Sequence, residues 1–303
     1  MIESLKREIE FLDKCSKIEL INKGLSYAKV FKLYQDDKKY ILKVYKDNNV
    51  DRKGVTDKYI ETNQPIPKIL EYGKTESLGY YIIMDYMGNG TLEEVYNTLL
   101  EEDIFNKART LGDKQKILIE NYTNINDNFF TEFKQTELKK YNQTVDLIEK
   151  YKEVLPDIDT VKIKNDIERL IEYFKDDAPL YMHWDLKADN VMVSDEFLMI
   201  DYENSALIYL PIALRCEIYH IMNNDEKANK SKQFIKGIIS GIDKKQLEDK
   251  NLNKKLAYAY LKSSFVYIVG YLLTNNRIEE AKEQIDKINK VYTKSEKLEK
   301  LLQ

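Results

Sequence analysis

One stretch constrains this chain more than any other: His183-Trp184-Asp185-Leu186-Lys187-Ala188-Asp189-Asn190, followed by Ile200-Asp201-Tyr202-Glu203. Between them, Val191-Met192-Val193 and Phe197-Leu198-Met199-Ile200 are short apolar runs split by Ser194-Asp195-Glu196. That pattern reads as a hairpin of two buried strands with a polar turn. Leu180-Tyr181-Met182 reads as a further apolar strand ahead of the loop. The loop is thus pinned between buried strands, a rigid mount for oxygen-bearing side chains. Asp185 leaves the loop, Asn190 enters the first hairpin strand, and Asp201 closes the second. Phosphoryl transfer requires such a set: a carboxylate to orient and deprotonate an acceptor hydroxyl, and ligands for the cations on the phosphate oxygens. Asp185 takes the first role; Asn190 and Asp201 take the second, on Mg²⁺.

At these residues the chain resembles the aminoglycoside phosphotransferase and choline kinase superfamily, whose His-x-Asp-x-x-x-x-Asn loop precedes a hydrophobic strand ending in Asp-aromatic-Glu. Ile200-Asp201-Tyr202-Glu203 fits that ending and not the Asp-Phe-Gly of most eukaryotic protein kinases. The resemblance is specific over 180–203, weaker over 17–203, and general in character for the last hundred residues. It implies an α+β, bilobal protein-kinase-like fold: a small antiparallel-sheet N-lobe (1–88) that binds ATP and a larger, mostly helical C-lobe (89–303) with the catalytic loop, the metal ligands and the acceptor-binding region. It gives His183 a bracing role through backbone hydrogen bonds. Lys187 is open between contact with the transferring phosphate and an ordinary solvated lysine; Asp189 reads as a surface residue or loop cap.

The N-terminal region supplies a candidate nucleotide half-site. Lys17 to Lys23 reads as a strand, Gly24-Leu25-Ser26-Tyr27 as a turn, and Val30 to Tyr34 as a second strand. After the polar turn Gln35-Asp36-Asp37-Lys38, Tyr40 to Tyr45 is a third. Alternation puts Ile41, Lys43 and Tyr45 on one face. Lys43 has the placement of the kinase strand lysine that bridges the α- and β-phosphates. Gly24 and Ser26 suit a phosphate-contacting turn, and equally an ordinary hairpin turn. The acid that should hold Lys43 belongs on the helix after the strand, over Val50 to Thr62. Asp51, Asp57 and Glu61 are the nearby acids, and the pattern does not choose among them. Gly79 to Met87 reads as a buried strand running to the Gly88-Asn89-Gly90 break. It resembles the kinase hinge, with the Asp85 carbonyl and the Met87 amide on the adenine edge and Met84 behind the purine. Thr91, with Glu94 three residues on, is an N-cap signal.

Residues 91–179 and 205–303 read as mostly helical. Stripes such as Ile167, Leu170, Ile171 and Phe174, and Ile278, Ala281, Ile285, Ile288 and Val291, are core faces. The run Asn204 to Pro211 reads as passing straight to a helix, without the long regulated segment and Ala-Pro-Glu type anchor of a protein kinase. A small hydroxylated acceptor is therefore expected. Tyr202, Glu203, Glu217 and Tyr219 are candidates to face it; His220 reads as packed or surface. Where the family often has an Asp after the Pro of this region, Leu214 or a neighbour stands instead.

Composition fits that expectation. The chain has 303 residues, 43% hydrophobic and 33% charged, with net charge −4. This describes a globular domain pair with no basic stripe for nucleic acid. Two cysteines, Cys15 and Cys216, suggest no disulfide framework. Ser264 to Leu273 is apolar but too short for a membrane span. No signal-peptide pattern opens the sequence, and a cytoplasmic location is expected. The expectation is an ATP- and Mg²⁺-dependent phosphotransferase acting on a hydroxyl of a small molecule. Its rivals are a catalytically silent nucleotide-binding module and a protein kinase.

Overall fold

The computed structural model describes residues 2–21, 28–45, 51–76, 79–88, 90–124, 126–223 and 226–292. Along the chain, helix α1 (Ile2–Glu8) precedes strands β1 (Lys17–Ile21), β2 (Ala28–Gln35) and β3 (Lys38–Tyr45). Helix α2 (Arg52–Glu61) and strands β4 (Ile69–Thr75) and β5 (Gly79–Asp85) follow. Then come α3 (Leu92–Val95), α4 (Glu101–Tyr122), α5 (Phe129–Lys150) and α6 (Thr160–Ile171). Four short strands are next: β6 (Leu180–His183), β7 (Val191–Val193), β8 (Phe197–Met199) and β9 (Ser205–Ile208). The chain ends in α7 (Leu210–Ala213), α8 (Arg215–Asn223), α9 (Ala228–Asp243), α10 (Leu252–Leu261), α11 (Gly270–Thr274) and α12 (Ile278–Tyr292). A π-helical stretch, Lys262–Val269, joins α10 to α11.

Two units form. The first comprises 1–91 and 191–204, the second 92–190 and 205–303. This differs from a single cut at 88, because the β7–β8 hairpin joins the first unit. Its backbone explains why: Met199 N–H donates to Pro65 O (2.7 Å), Val193 N–H donates to Gly90 O (3.3 Å), and Thr91 bridges Met192.

The first unit is an antiparallel five-stranded sheet in the order β1-β2-β3-β5-β4. Period-2 alternation sends Phe31, Leu33, Tyr40, Leu42, Val44, Tyr81 and Ile83 to one face, where Leu5, Ile9 and Leu12 cover them. The N-terminal residues that carry Leu5, Ile9 and Leu12 had no assignment from the sequence. The opposite face meets α2: Thr56 and Tyr80 share a hydroxyl hydrogen bond (2.7 Å), and the Arg52 guanidinium lies 4.3 Å from the Tyr45 ring centroid. With both faces covered, β5 is apolar almost throughout, as Tyr80, Tyr81, Ile82, Ile83 and Met84 show. At the β2–β3 turn Asp36 takes φ 51°, a conformation Asp tolerates better than most residues.

The second unit is mostly helical. The expected stripes are core: Ile167, Leu170, Ile171, Phe174, Ala281, Ile285 and Ile288 are all buried. The helical run over 252–274 is long and apolar enough to cross a membrane by length and composition, but 83% of its apolar 18-residue window is buried within the protein. One expectation is corrected here. Ser205 to Ile208 do not lead straight into a helix; they form β9, antiparallel to β6, with His183 opposite Ser205. The run alternates poorly in polarity, so its strand character rests on its partner β6 rather than on its own pattern.

Helices α4 and α9 cross at close range, and α9 also packs on α8. The close approach requires glycine: a Cβ at Gly241 would fall 2.2 Å from Arg109 O and 2.6 Å from Asp113 N, both backbone atoms. Gly241→Ala is therefore expected to lower unfolding stability by about 1–3 kcal/mol through overpacking, read as a lower urea midpoint. An unchanged midpoint would show that the helices separate at no cost.

Candidate active site

Each unit carries part of the expected constellation. In the first unit β3 places Lys43 on the face that meets α2, 7% exposed. Its ammonium pairs with Asp201 and stands 3.5 Å from Glu203 Oε1. Tyr45, two residues on and on the same face, donates its hydroxyl to Glu203 Oε1 (2.6 Å). Burial works against the charge on Lys43, but the Glu203 and Asp201 carboxylates outweigh it and hold its pKa above the ordinary lysine value. Burial and then Glu203 push the Tyr45 phenol well up, so it stays a donor. Tyr202 is fully buried and stacks on Tyr59 of α2, ring centroids 4.8 Å apart. That stack fixes the turn that presents Asp201 and Glu203.

The acid partner of Lys43 is thus not on α2. Asp51 caps α2, accepting from Gly54 N–H at 3.0 Å. Asp57 is held by Lys53 (2.8 Å) and by the Tyr72 hydroxyl (2.6 Å). Glu61 is exposed. Glu203, 0% exposed, takes the role instead. The signal for it lay in the sequence: a carboxylate two residues past Asp201, inside the same motif. It had been read as a possible acceptor contact, as had Tyr202, and both are committed to the core of the first unit.

Asp201 has φ 59°, the left-handed region that Asp enters more readily than most residues. Glu203 Oε2 is buried with no hydrogen-bond partner among the described residues. An orphaned, buried carboxylate oxygen two residues from Asp201 fits a nearby cation. Among the described residues no three His, Cys, Asp or Glu side chains form a ready metal cage.

Of the other residues expected to contact nucleotide, Gly24 and Ser26 lie outside the described residues. Met84 is buried on β5; Asp85 ends that strand, its N–H donating to Lys68 O (2.9 Å); Met87 follows, half-buried.

In the second unit β6 ends at His183, fully buried, whose Nδ1 accepts from Asp185 N–H (3.0 Å). Asn190 Nδ2 donates to Asp185 O (2.9 Å), which closes the loop on itself and aligns the amide. Asp185 Oδ1 lies 2.8 Å from Arg215 Nη2 and accepts from Cys216 Sγ at 3.4 Å. Lys187 Nζ stands 3.8 Å from Asp185 Oδ2 and 3.7 Å from Asp189 Oδ2. Arg215 and Cys216 were not foreseen. Their signal was a charge inside the apolar run from Leu210 to Ile218.

Glu217, 1% exposed, braces the same loop: Oε1 accepts from Ala188 N–H (2.8 Å) and Oε2 from the Tyr96 hydroxyl (2.7 Å). A cavity of about 120 Å³ opens here, lined by Lys187, Asp189, Cys216, Glu217, Tyr219 and His220 among others. Glu217 and Tyr219 thus lie beside the loop, with both Glu217 oxygens committed to bracing it. His220 faces Glu93 at 3.9 Å, and Lys227 also pairs with Glu93. Burial, with Asp185 next, pushes the Cys216 thiol up to about 12, so it is a neutral donor.

No protein-family model and no curated protein matches the chain. Among solved structures, a thermostable mutant of aminoglycoside phosphotransferase APH(4)-Ia, in complex with AMP-PNP and hygromycin B, is 14% identical with TM-score 0.63, covering 95% of this chain and 96% of that one. Spectinomycin phosphotransferase APH(9)-Ia, with ADP and spectinomycin, is 13% identical with TM-score 0.60, covering 95% and 92%. Ethanolamine kinase from Plasmodium vivax is 15% identical with TM-score 0.54, covering 86% and 77%.

Burial raises the Glu217 carboxyl above its ordinary 4.5, against the bonds from Ser231, Ala188 and Tyr96. A raised native pKa means the native state binds the proton more tightly. Its stabilising contribution is full below the unfolded value and is lost as pH rises through the native one. Urea midpoints should therefore fall for the native chain relative to Glu217→Gln as pH climbs from 4.5 towards neutrality; parallel curves would show an ordinary carboxyl. The chain has the bilobal α+β fold of the aminoglycoside phosphotransferases and ethanolamine kinase.

Proposed function

We propose that this chain is a kinase that moves the γ-phosphate of ATP, with Mg²⁺, onto a hydroxyl of a small molecule. The observation that supports it most is that each unit, taken by itself, orders its own share of the motif residues. A loop braced by His183 and Glu217 presents Asp185 and Asn190, and a buried Lys43 meets Asp201. In this reading Asp185 accepts the proton of the incoming hydroxyl. Lys43 turns its ammonium to the α- and β-phosphate oxygens, while Glu203 keeps it charged and aimed. Asn190 and Asp201 hold Mg²⁺, which when bound neutralises charge on the phosphate oxygens. Lys187, 29% exposed in its side chain and beside Asp185, can touch the transferring group. The Asp85 carbonyl and the Met87 amide meet the adenine edge, with Met84 behind it. Gly24 and Ser26 stay in the proposal as the phosphate turn.

A small acceptor is favoured over a protein hydroxyl. From Asp201 the chain passes through one short turn into β9 and on to α7 at Leu210. This leaves little chain for a regulated peptide-binding segment. The cavity lined by Lys187, Cys216 and Glu217 suits a compact polar ligand. ATP as donor agrees with a cytoplasmic setting.

Asp185→Asn is expected to cut Mg²⁺-dependent ADP release by about 10²–10⁴-fold while nucleotide affinity by calorimetry holds. Retained turnover would remove the assignment. Asp201→Ala should abolish the Mg²⁺-dependent part of nucleotide binding, and unchanged binding would remove the metal role. A screen of ADP release across amino alcohols, aminoglycosides, nucleosides and sugars would identify the acceptor.

A further inference from the structure

The two oxygens of Asp185 have unlike surroundings. Oδ1 is held by Arg215 Nη2 (2.8 Å) and by the Cys216 thiol, which donates at 3.4 Å. Oδ2 has Lys187 Nζ at 3.8 Å, beyond hydrogen-bond reach. Arg215 is itself fixed on several sides. Nη1 donates to Trp184 O (2.6 Å) and to Ile212 O (3.1 Å). Its guanidinium carbon lies 5.0 Å from the ring centroids of both Trp184 and Tyr267. It is 5% exposed. A buried planar fork thus grips the carbonyl before Asp185 and the side chain of Asp185 at once. Tyr267, which backs it, sits in the π-helical stretch, an insertion type often found at functional sites.

We propose that Arg215, with Cys216, is a positioning element for the base: it commits Oδ1 and leaves Oδ2 to receive the acceptor's proton. This rests on the reading of Asp185 as proton acceptor. In the step, the acceptor oxygen bonds to the γ-phosphorus as its proton passes to Oδ2. The bond from γ-phosphorus to the β–γ bridging oxygen breaks, and its electron pair leaves with ADP. Without the fork, the Asp185 side chain samples other rotamers, and a displacement of about 1 Å at a reacting group costs on the order of 100-fold in rate. A lysine cannot substitute, since one ammonium cannot span both Trp184 O and Oδ1 as a rigid fork does. The thiol adds a second, uncharged donor to the same oxygen, and its high pKa keeps it protonated.

The test uses the full chain with ATP and Mg²⁺ alone, water serving as acceptor, and reads ADP release. Arg215→Ala should lower kcat by about 100-fold with KM for ATP held within about twofold. Millimolar guanidinium should restore part of the loss in Arg215→Ala and none in Asp185→Asn. In thermal unfolding, Arg215→Ala should cost fewer degrees in the Asp185→Asn background than in the native chain. Cys216→Ala should lower kcat less than Arg215→Ala does. Native-like kcat in Arg215→Ala overturns the proposal, as does a loss that guanidinium leaves untouched with additive unfolding shifts. Should Arg215→Ala not fold, Arg215→Lys decides: a lower kcat at unchanged KM supports the role, and an unchanged kcat ends it. Inactive Asp185→Asn beside active Arg215→Ala removes this proposal alone. Active Asp185→Asn removes the functional reading and this proposal with it.

Discussion

A lysine ammonium inside a packed sheet face is unstable unless carboxylates meet it, and the first unit is arranged to meet that demand at Lys43. Desolvating one ion costs several kcal/mol in a real protein, and a single partner seldom recovers it. Here two carboxylates converge, Asp201 and Glu203, with the Tyr45 hydroxyl shared on Glu203. The partners come from the far side of the chain sequence, 158 and 160 residues on. Much of the unit follows from bringing them there. The β7–β8 hairpin is tied to Pro65 and Gly90 by backbone bonds, and Tyr202 is wedged against Tyr59 of α2. Those contacts hold Asp201 in the left-handed turn that faces it towards Lys43.

The second unit poses the mirror problem, a partly covered carboxylate that the proposed function needs reactive. Asp185 is only partly covered, and its neighbours are cations and a thiol rather than other acids. The groups that hold the loop act mainly through backbone: His183 on the Asp185 amide, Glu217 on the Ala188 amide, Asn190 on the Asp185 carbonyl. Backbone anchoring fixes where the carboxylate starts without consuming its oxygens. Helix α8 supplies Arg215, Cys216 and Glu217 in succession, and α9 packs behind it through its own glycine-dependent crossing with α4. That helix pair thereby backs α8, which brings Arg215 to Asp185.

Much of this was legible in the sequence because it was local. The loop, the hairpin and the terminal Asp lie within about two dozen residues, and the strand bearing Lys43 alternates in a way that period-2 sheets require. The legible parts stop where partners are distant. Glu203 was visible as a residue, but its pairing with Lys43 closes a loop of 160 residues and no spacing rule reaches that far. Asp51 and Asp57 were plausible by proximity, yet each is consumed locally, by a helix cap and by an i,i+4 pair with Lys53. Strand β9 went unseen because Ser205 to Ile208 gain strand identity only from β6. Arg215 was hidden in an apolar run where a family resemblance pointed to an acid, and a cation stands next to that position instead.

That last departure bears on how the loop is kept in register. In β9, Ser205 pairs with His183, so the strand that follows the Asp201 turn is hydrogen-bonded to the strand that enters the catalytic loop. The chain then turns at Tyr209, which is buried, into α7 and α8 with Pro211 in the first turn. Each residue from 201 to 215 is therefore committed to strand, turn or helix within a short span, and Arg215 arrives at Asp185 as the direct continuation of that path. A protein kinase that orders this region by phosphorylation needs a segment long enough to hold two alternative conformations. The fifteen residues from 201 to 215 are instead taken up by a short turn, a strand ladder, a buried tyrosine and a proline-started helix. In the proposed reading, the walls of the cavity beside the loop, Lys187, Cys216 and Glu217 among them, would select the acceptor.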